Sequence, residues 1–328
     1  MKKVQGFSLL KAFMCFGVIL AHFWSSKGYD SLIFLPFREI RTLAAPVFMI
    51  LSFYFAKSLF SGDRDSFRKR MKRLLVPHVC WAVIYYLFYL AVYRTPITEL
   101  FWQLCTGHSS ILNATMWFQF ELILLTVLFY GIFRILKEKK AMLCLCILSV
   151  ICLILQISGL NYRIFSGLRF ELSYPLGRFA EMLPYACLGL VLRYFDLYSK
   201  LKRHPLITMT VSLILFVLPY FLPFPRCDGF GYAGITLIYA CFLAVTFAAV
   251  LPLDGIGDPV ESFIDTLCRF TPGIYCCHRL IFAIVSLCFP GTLFFHTLFG
   301  CLVIYLLSYL FCLILSLLPI RDIRLLVD

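Results

Sequence analysis

The chain alternates long apolar stretches with short polar ones. Ten of the apolar stretches approach the roughly 20 residues that a helix needs to cross a bilayer. The more polar residues 256–269 predict a segment at the membrane interface. The pattern therefore predicts an all-α, polytopic transmembrane helix bundle of about ten spans. These spans are expected near residues 8–25, 42–60, 75–94, 113–135, 141–158, 176–195, 206–222, 233–251, 270–289 and 297–318.

Composition supports a membrane protein independently of the pattern. Hydrophobic residues make up 62% of the 328 residues and charged residues only 14%, whereas a soluble domain carries about 25% charged residues. Ten spans would use roughly 200 residues, and the rest suffices only for loops. We therefore expect residues 1–328 to form a single integral-membrane domain.

The basic residues indicate an orientation. The formal net charge is +13, with 30 Lys and Arg. If the N-terminus is cytoplasmic, most of them fall in cytoplasmic loops, and fewer, Arg178 among them, fall on the outer side. Cytoplasmic loops of membrane proteins are rich in Lys and Arg, so the pattern predicts an even number of spans and two cytoplasmic termini. It also explains the basic charge without nucleic acid as a partner.

Two ionisable residues lie inside the first predicted span. Lys11 and His22 are separated by eleven positions, which on a helix leaves them about 20° apart in direction and roughly 16 Å apart along the axis. Ionisable groups within a bilayer are costly and usually functional, so one polar face across one helix favours a lined cavity. The alternative is a lysine that snorkels to the interface and a histidine satisfied there.

A basic run, Arg68-Lys69-Arg70-Met71-Lys72-Arg73, precedes the third predicted span. One interpretation is a cytoplasmic anchor that contacts anionic lipid. The other is a clamp for the phosphates of a cytoplasmic cofactor, because Arg binds phosphate through two parallel hydrogen bonds.

Other ionisable residues lie in or beside later spans. His278 and Arg279 fall inside the ninth, where the preceding Pro272 and Gly273 allow a break or a close approach of helices. Three carboxylates could pair with a buried cation or act as acids. They are Glu121, which follows Trp117 in the fourth span, and Glu171 and Glu181 at the start of the sixth.

Several common sites leave no signature in the sequence. There is no phosphate-binding P-loop, no GxSxG nucleophile elbow, and no HExxH or other metal-ligand spacing. Most of the 15 cysteines lie in apolar segments without a CxxC pair, and we interpret them as packing residues. An enzyme of this kind, with histidine as general base and no metal, suits acyl transfer.

Five motifs stand out along the chain: Lys11-x10-His22, Ala45 to Phe53, Phe67 to Pro77, Met116-Trp117-Phe118, and Gly273 to His278. Together they resemble the acyltransferase 3 family of membrane-bound O-acyltransferases of surface glycans. Lys11 stands where the family has Arg in its Arg-x10-His signature, and Ser52-Phe53 stands where it has Ser-Gly. Lys keeps the charge but loses the planar fork of Arg. The resemblance extends from residue 7 to about residue 318.

The resemblance implies transfer of an acyl group, usually acetyl, from coenzyme A to a hydroxyl of a glycan. The residues it implies are His22 as general base and Lys11 as a second catalytic residue along the same cavity, with Arg68, Arg70 and Arg73 at the phosphates of acyl-coenzyme A. The expected partners are acyl-coenzyme A, an extracytoplasmic or lipid-linked glycan, and membrane lipids, with no metal and no permanently bound cofactor. The expected location is a bacterial inner or plasma membrane. His278, Glu121 and Trp117 are expected to bind the acceptor or orient the site.

The alternative is a transporter that moves polysaccharide or lipid-linked sugar without modifying it. Such a protein would need a pathway open to both sides of the membrane and would release no coenzyme A. The presence of Lys11 instead of Arg favours this alternative slightly.

Overall fold

A computed structural model describes most of the chain, and every element in its described residues is a helix. The described residues are 5–24, 35–56, 62–109, 116–158, 170–218, 235–251, 257–290, 293–319 and 324–327, with positions 59, 111, 112, 160, 164, 167 and 168. In chain order the helices are α1 Gln5–Phe23, α2 Leu35–Tyr54, α3 Arg64–Tyr93, α4 Ile97–Thr106, α5 Trp117–Ile135, α6 Glu138–Ile157, α7 Phe170–Tyr194, α8 Leu197–Leu201, α9 Pro205–Val217, α10 Ile235–Val250, α11 Asp258–Arg269, α12 Thr271–Cys288, α13 Leu298–Leu317 and α14 Arg324–Val327, with a 3₁₀ turn at Leu293–His296.

The described residues confirm the prediction of an all-α membrane protein. A helix overlaps each of the ten predicted stretches. In the described part of the chain, five helices are long and apolar enough to cross a membrane, namely α1, α3, α5, α12 and α13, and α9 and α10 are shorter apolar helices. The count of ten spans and the cytoplasmic position of both termini stay predictions.

The third helix begins well before the span predicted at 75–94. Helix α3 starts at Arg64, where the side chain of Asp63 accepts hydrogen bonds from the backbone N–H groups of Asp65, at 3.3 Å, and Ser66, at 2.9 Å. Such an N-cap satisfies donors that the first turn leaves unpaired. The basic run therefore lies on the helix itself, so its side chains point in different directions.

Two other elements differ from the predicted pattern. Helix α4 at Ile97–Thr106 lies where no span is predicted. Residues 256–269, predicted as an interfacial segment, contain the separate helix α11, which packs against α1. The break expected at Pro272 lies at the start of α12, where proline fits because the first turn needs no N–H there.

Close contacts hold α2 between α1 and α7. A Cβ at Gly189 of α7 would meet the backbone carbonyl oxygen of Ile50 and lie 3.0 Å from the backbone nitrogen of Tyr54. A Cβ at Gly6 of α1 would likewise meet the carbonyl oxygen of Ala248. Backbone cannot move aside as a flexible side chain can, so these glycines set the distance between neighbouring helices.

We expect Gly189→Ala to destabilise the protein by about 1–3 kcal/mol, because overpacking forces the two backbones apart. Thermal unfolding in detergent or nanodiscs measures the effect. Gly131→Ala in α5 is the matched control, since nothing lies within 4 Å of its added Cβ. Alanine should leave that helix unchanged or stabilise it by up to about 1 kcal/mol. Equal effects of the two substitutions would contradict close backbone packing at Gly189.

The C-terminal helix α14 contacts α3, α12 and α13. The indole Nε1 of Trp81 donates to the carbonyl oxygen of Leu326 at 3.1 Å, and Val327 is fully buried. A Cβ at Gly273 would lie 2.7 Å from Cα of Val327 and 2.8 Å from Sγ of Cys312. The close approach expected at Gly273 therefore exists, and it fixes the first turn of α12, the helix that carries His278 and Arg279.

Candidate active site

Two helices that are distant in the sequence bring His22, His278 and Arg279 together. Nη2 of Arg279 in α12 lies 2.9 Å from Nδ1 of His22 in α1. The rings of His22 and His278 stack, with centroids 5.4 Å apart and planes inclined by 27°. His278 is fully buried, whereas His22 is half-buried. The predicted site residue His22 thus contacts the end of the Gly273–His278 motif, and we call these three side chains the histidine–arginine cluster.

Hydrogen-bond chemistry assigns the ring protons of both histidines. A guanidinium group has donors only, so Nδ1 of His22 accepts and the proton of its neutral ring lies on Nε2. In His278 the order is reversed, because Nδ1 lies 3.1 Å from the carbonyl oxygen of Ile274 and 2.7 Å from that of Tyr275. Carbonyl oxygens only accept, so Nδ1 of His278 carries the proton and its Nε2 carries the lone pair. That Nε2 is buried without a hydrogen-bond partner in the described part of the chain.

Tyr85 of α3 holds α12 beside the cluster. Its hydroxyl donates to the carbonyl oxygen of Cys276 at 2.9 Å and accepts from the backbone N–H of Leu280 at 3.1 Å. A regular helix pairs these two backbone groups, which are four residues apart, with each other. The hydroxyl therefore ties α3 to the turn of α12 that carries His278 and Arg279.

A second polar group lies beside the cluster and contains Trp117 and Glu121. The guanidinium of Arg178 lies 5.1 Å from the ring centroid of Trp117 and forms an ion pair with Glu181 at 2.9 Å. Glu121 is fully buried, and neither of its carboxylate oxygens has a hydrogen-bond partner among the described residues. Arg178 interacts electrostatically with both Glu121 and His22. The acidic residue of the fourth predicted span is therefore a neighbour of the cluster.

Lys11 lies away from the histidine–arginine cluster. Its Nζ lies 4.8 Å from the ring centroid of Phe55, just after the end of α2. Arg193 of α7 lies over the neighbouring Tyr54, with its guanidinium carbon 5.7 Å from the ring centroid. The carboxyl end of a helix attracts cations, and cation–π contacts add to this attraction. Lys11 and His22 thus occupy two different sites along α1.

Arg70 also reaches the end of α2. Its Nε donates to Oγ1 of Thr126 at 3.1 Å, its Nη2 donates to Oγ of Ser52 at 3.0 Å, and its guanidinium carbon lies 5.0 Å from the ring of Phe53. Arg70 therefore connects α3 to α2 and α5. We call Lys11, Arg70 and Arg193, which lie over three consecutive aromatic residues, the cation group of α2.

The structure separates the three arginines of the predicted phosphate clamp. Arg70 is half-buried and bonded within the protein, whereas Arg68 and Arg73 are exposed. Arg68 and Arg70, two residues apart, point to nearly opposite sides of a helix, so the three side chains cannot all face one ligand. Only Arg68 and Arg73 present exposed guanidinium groups.

The sequence alone assigns no role to several residues that lie in these polar groups or contact them. Arg279 is visible as a charge inside a span, but its partner His22 lies on another helix. The sequence pattern counts Arg178 among the outer loop charges, and this is wrong, because the residue is buried within α7. Tyr85 and Arg193 give no signal, since aromatic residues and interfacial arginines are common in spans. The side chain of Glu171 lies outside the described residues.

The described cysteines form no disulfide, and no group of three or more potential metal ligands occurs in the described residues. The side chains of the histidine–arginine cluster can themselves take part in acid–base chemistry. The lone pair on Nδ1 of His22 lies beside the guanidinium of Arg279, within a bundle of apolar helices. This combination can accept a proton and stabilise a developing negative charge next to it.

The fold and the cluster define a helical membrane protein with a site suited to proton transfer. The sequence profile of the acyltransferase 3 family, an acyltransferase domain, matches residues 4–318. The chain therefore belongs to the acyltransferase 3 family, as its motifs indicate, and is a membrane acyltransferase. No curated protein and no solved structure matches the chain.

Proposed function

We propose that the protein transfers an acyl group, most simply acetyl, from cytoplasmic acyl-coenzyme A to a hydroxyl of an extracytoplasmic or lipid-linked glycan. The membrane would be the inner or plasma membrane of a bacterium. The observation that carries the proposal is the 2.9 Å contact between Arg279 and His22, inside a chain whose family is an acyltransferase family.

His22 is the general base of the proposed reaction. Its basic atom is Nδ1, because the proton of the neutral ring lies on Nε2. A hydroxyl that donates to Nδ1 becomes a stronger nucleophile towards the thioester carbonyl as its proton is transferred. The products are the acylated hydroxyl and free coenzyme A.

Lys11 acts on the donor and not on the reacting atoms. It lies roughly 16 Å from His22 along α1, a separation suited to the extended arm that joins the thioester of acyl-coenzyme A to its nucleotide. The phosphates would then lie near the cation group of α2, with the exposed Arg68 and Arg73 at the entrance. Arg70 shapes this end of the site through its bonds to Ser52 and Thr126.

His278, Glu121 and Trp117 belong to the acceptor side of the proposed site. The lone pair on Nε2 of His278 can accept a hydrogen bond from a sugar hydroxyl. Trp117 offers an aromatic ring, although the guanidinium of Arg178 already covers one face of it. Glu121 offers a buried carboxyl group one helical turn further along α5.

We expect the double substitution Arg68→Gln/Arg73→Gln to raise KM for acetyl-coenzyme A about tenfold or more at unchanged kcat. A hydrogen bond to a charged group contributes about 1.5–3 kcal/mol, and these contacts would be equal in ground and transition states. Initial rates at low and high salt measure the effect, which salt should weaken.

Acetyl-pantetheine is the matched control substrate, because it has the thioester arm but lacks the nucleotide phosphates. Wild type and the double variant should use it equally well. If the variant loses as much activity towards acetyl-pantetheine as towards acetyl-coenzyme A, the arginines do not act on the phosphates.

A cellular experiment separates acyl transfer from transport. Cells that lack the gene, and cells complemented with it, are compared for the amount of surface glycan and for its ester-linked acyl groups by mass spectrometry. Acyl transfer predicts that the acyl groups disappear while the glycan is still exported. Loss of export with full acylation of the remaining glycan would instead favour the transporter.

A further inference from the structure

The contact between Arg279 and His22 conflicts with a general base at the same atom. Nδ1 of an imidazole has one lone pair in the plane of the ring, and Nη2 of Arg279 donates to it at 2.9 Å. A hydroxyl can donate its proton to Nδ1 only when this hydrogen bond opens. The structure therefore represents the site before the acceptor hydroxyl binds, and the N–H of Arg279 that donated to Nδ1 is then available to another acceptor.

The charges indicate that partner. When His22 takes a proton, an imidazolium forms next to a guanidinium, and two cations about 3 Å apart repel each other. The same step places negative charge on the carbonyl oxygen of the thioester. This oxygen lies next to the nucleophile that His22 deprotonates, and its negative charge attracts both cations.

Other cations and donors near the site fit this role less well. His278 donates its single N–H to the carbonyl oxygens of Ile274 and Tyr275, so its neutral ring has only an acceptor left. Lys11 lies beside Phe55, and Arg178 is bound to Glu181. Arg279 is in direct contact with the base.

We propose that Arg279 is a catalytic residue that moves from Nδ1 of His22 to the thioester carbonyl oxygen and stabilises the oxyanion there. The inference rests on the acyl transfer proposed above. The acceptor oxygen forms a bond to the carbonyl carbon, its proton passes to Nδ1, and the π electrons of the carbonyl move to its oxygen, which accepts hydrogen bonds from Arg279.

The second half of the step restores the site. The oxyanion re-forms the carbonyl, the bond between carbon and sulfur breaks, and the thiolate of coenzyme A takes the proton from His22. The lone pair on Nδ1 is then free again, and Arg279 returns to it. Arg279 therefore leaves Nδ1 and returns to it once in every turnover.

Two substitutions test the inference with the full-length protein in nanodiscs. Arg279→Gln keeps an N–H that can donate to Nδ1 but removes the charge. It should lower kcat about 10²–10³-fold, as the loss of an oxyanion donor does, with KM for acetyl-coenzyme A unchanged. Arg279→Lys keeps the charge without the planar fork and should lose about tenfold. Arg269→Gln, at the exposed end of α11, is the control and should keep wild-type rates.

Several outcomes would overturn the proposal. They are a wild-type kcat in Arg279→Gln, a raised KM at constant kcat, or a lysine variant as inactive as the glutamine variant. If Arg279→Gln does not fold, Arg279→Lys decides, because a raised KM at constant kcat in that variant would contradict a contact made only in the transition state. If the wild-type protein itself releases no coenzyme A, acyl transfer fails as a whole, and this result is distinct from any difference between variants.

Discussion

We expect His22→Asn to abolish acyl transfer while the protein still inserts and folds. The amide oxygen of asparagine lies near the position of Nδ1 and can accept the hydrogen bond from Arg279, but it cannot take a proton at neutral pH. General-base catalysis contributes about 10²–10⁴-fold, and kcat should fall by that factor. Coenzyme A release from acetyl-coenzyme A measures it.

The comparison with other variants makes the result specific. His22→Ala should lose as much activity as His22→Asn, and it also loses the contact with Arg279. His204→Asn, at an exposed histidine before α9, should retain wild-type rates. If His22→Asn turns over like wild type, then hydrogen bonding and not proton transfer is the role of His22, and the general base lies elsewhere.

Arg178→Met should destabilise the protein by about 3–5 kcal/mol. The guanidinium forms an ion pair at 2.9 Å with the fully buried Glu181 and interacts electrostatically with the buried Glu121. Removing one partner of a buried pair leaves an uncompensated charge, which costs more than the pair itself contributed. Thermal or SDS-induced unfolding in a defined detergent measures the loss.

A double substitution tests whether the stranded charge of Glu181 causes the loss of stability. Arg178→Met/Glu181→Gln removes the stranded carboxylate and should recover much of the stability, so the two single effects should not add. Arg134→Met, at an exposed position near the end of α5, is the control and should change stability by less than about 0.5 kcal/mol. A loss in Arg178→Met no larger than in this control would contradict a buried charge network.

Much of the fold follows from sequence patterns because membrane helices are governed by one strong requirement. Backbone groups in lipid must be paired within the helix, so each long apolar stretch predicts a helix, and a helix overlaps each of the ten stretches. Helix ends are predicted less well. Helix α3 begins at Arg64 because Asp63 caps it, and that local signal is weaker than the hydropathy pattern which placed the span at 75–94.

The site is only partly predictable for a different reason. Helical geometry places Lys11 and His22 on the same face of α1, but their partners come from other helices. Arg279 contacts His22 across 257 positions, and no periodicity within α1 or α12 encodes that contact. Arg70 is half-buried and its neighbours Arg68 and Arg73 are exposed because of the orientation of α3 about its own axis. The packing of α3 against α2 and α5 determines this orientation.

Buried charges show where sequence reasoning is misleading. A basic residue near the end of a span is usually a loop or interface charge, and Arg178 fits that description in the sequence. It is buried because Glu181 lies one turn away on the same helix and Glu121 lies on α5. Charge neutralisation by a neighbouring helix depends on tertiary contacts and leaves no mark in the local pattern.

The most direct test of the central claim uses the purified wild-type protein in nanodiscs with labelled acetyl-coenzyme A and a glycan acceptor. Released coenzyme A and acetyl ester on the glycan are measured in the same reaction. We expect equal amounts of the two products, and neither of them with His22→Asn. Glycan that remains unmodified with no coenzyme A release, in protein shown to be folded, would contradict acyl transfer at the histidine–arginine cluster.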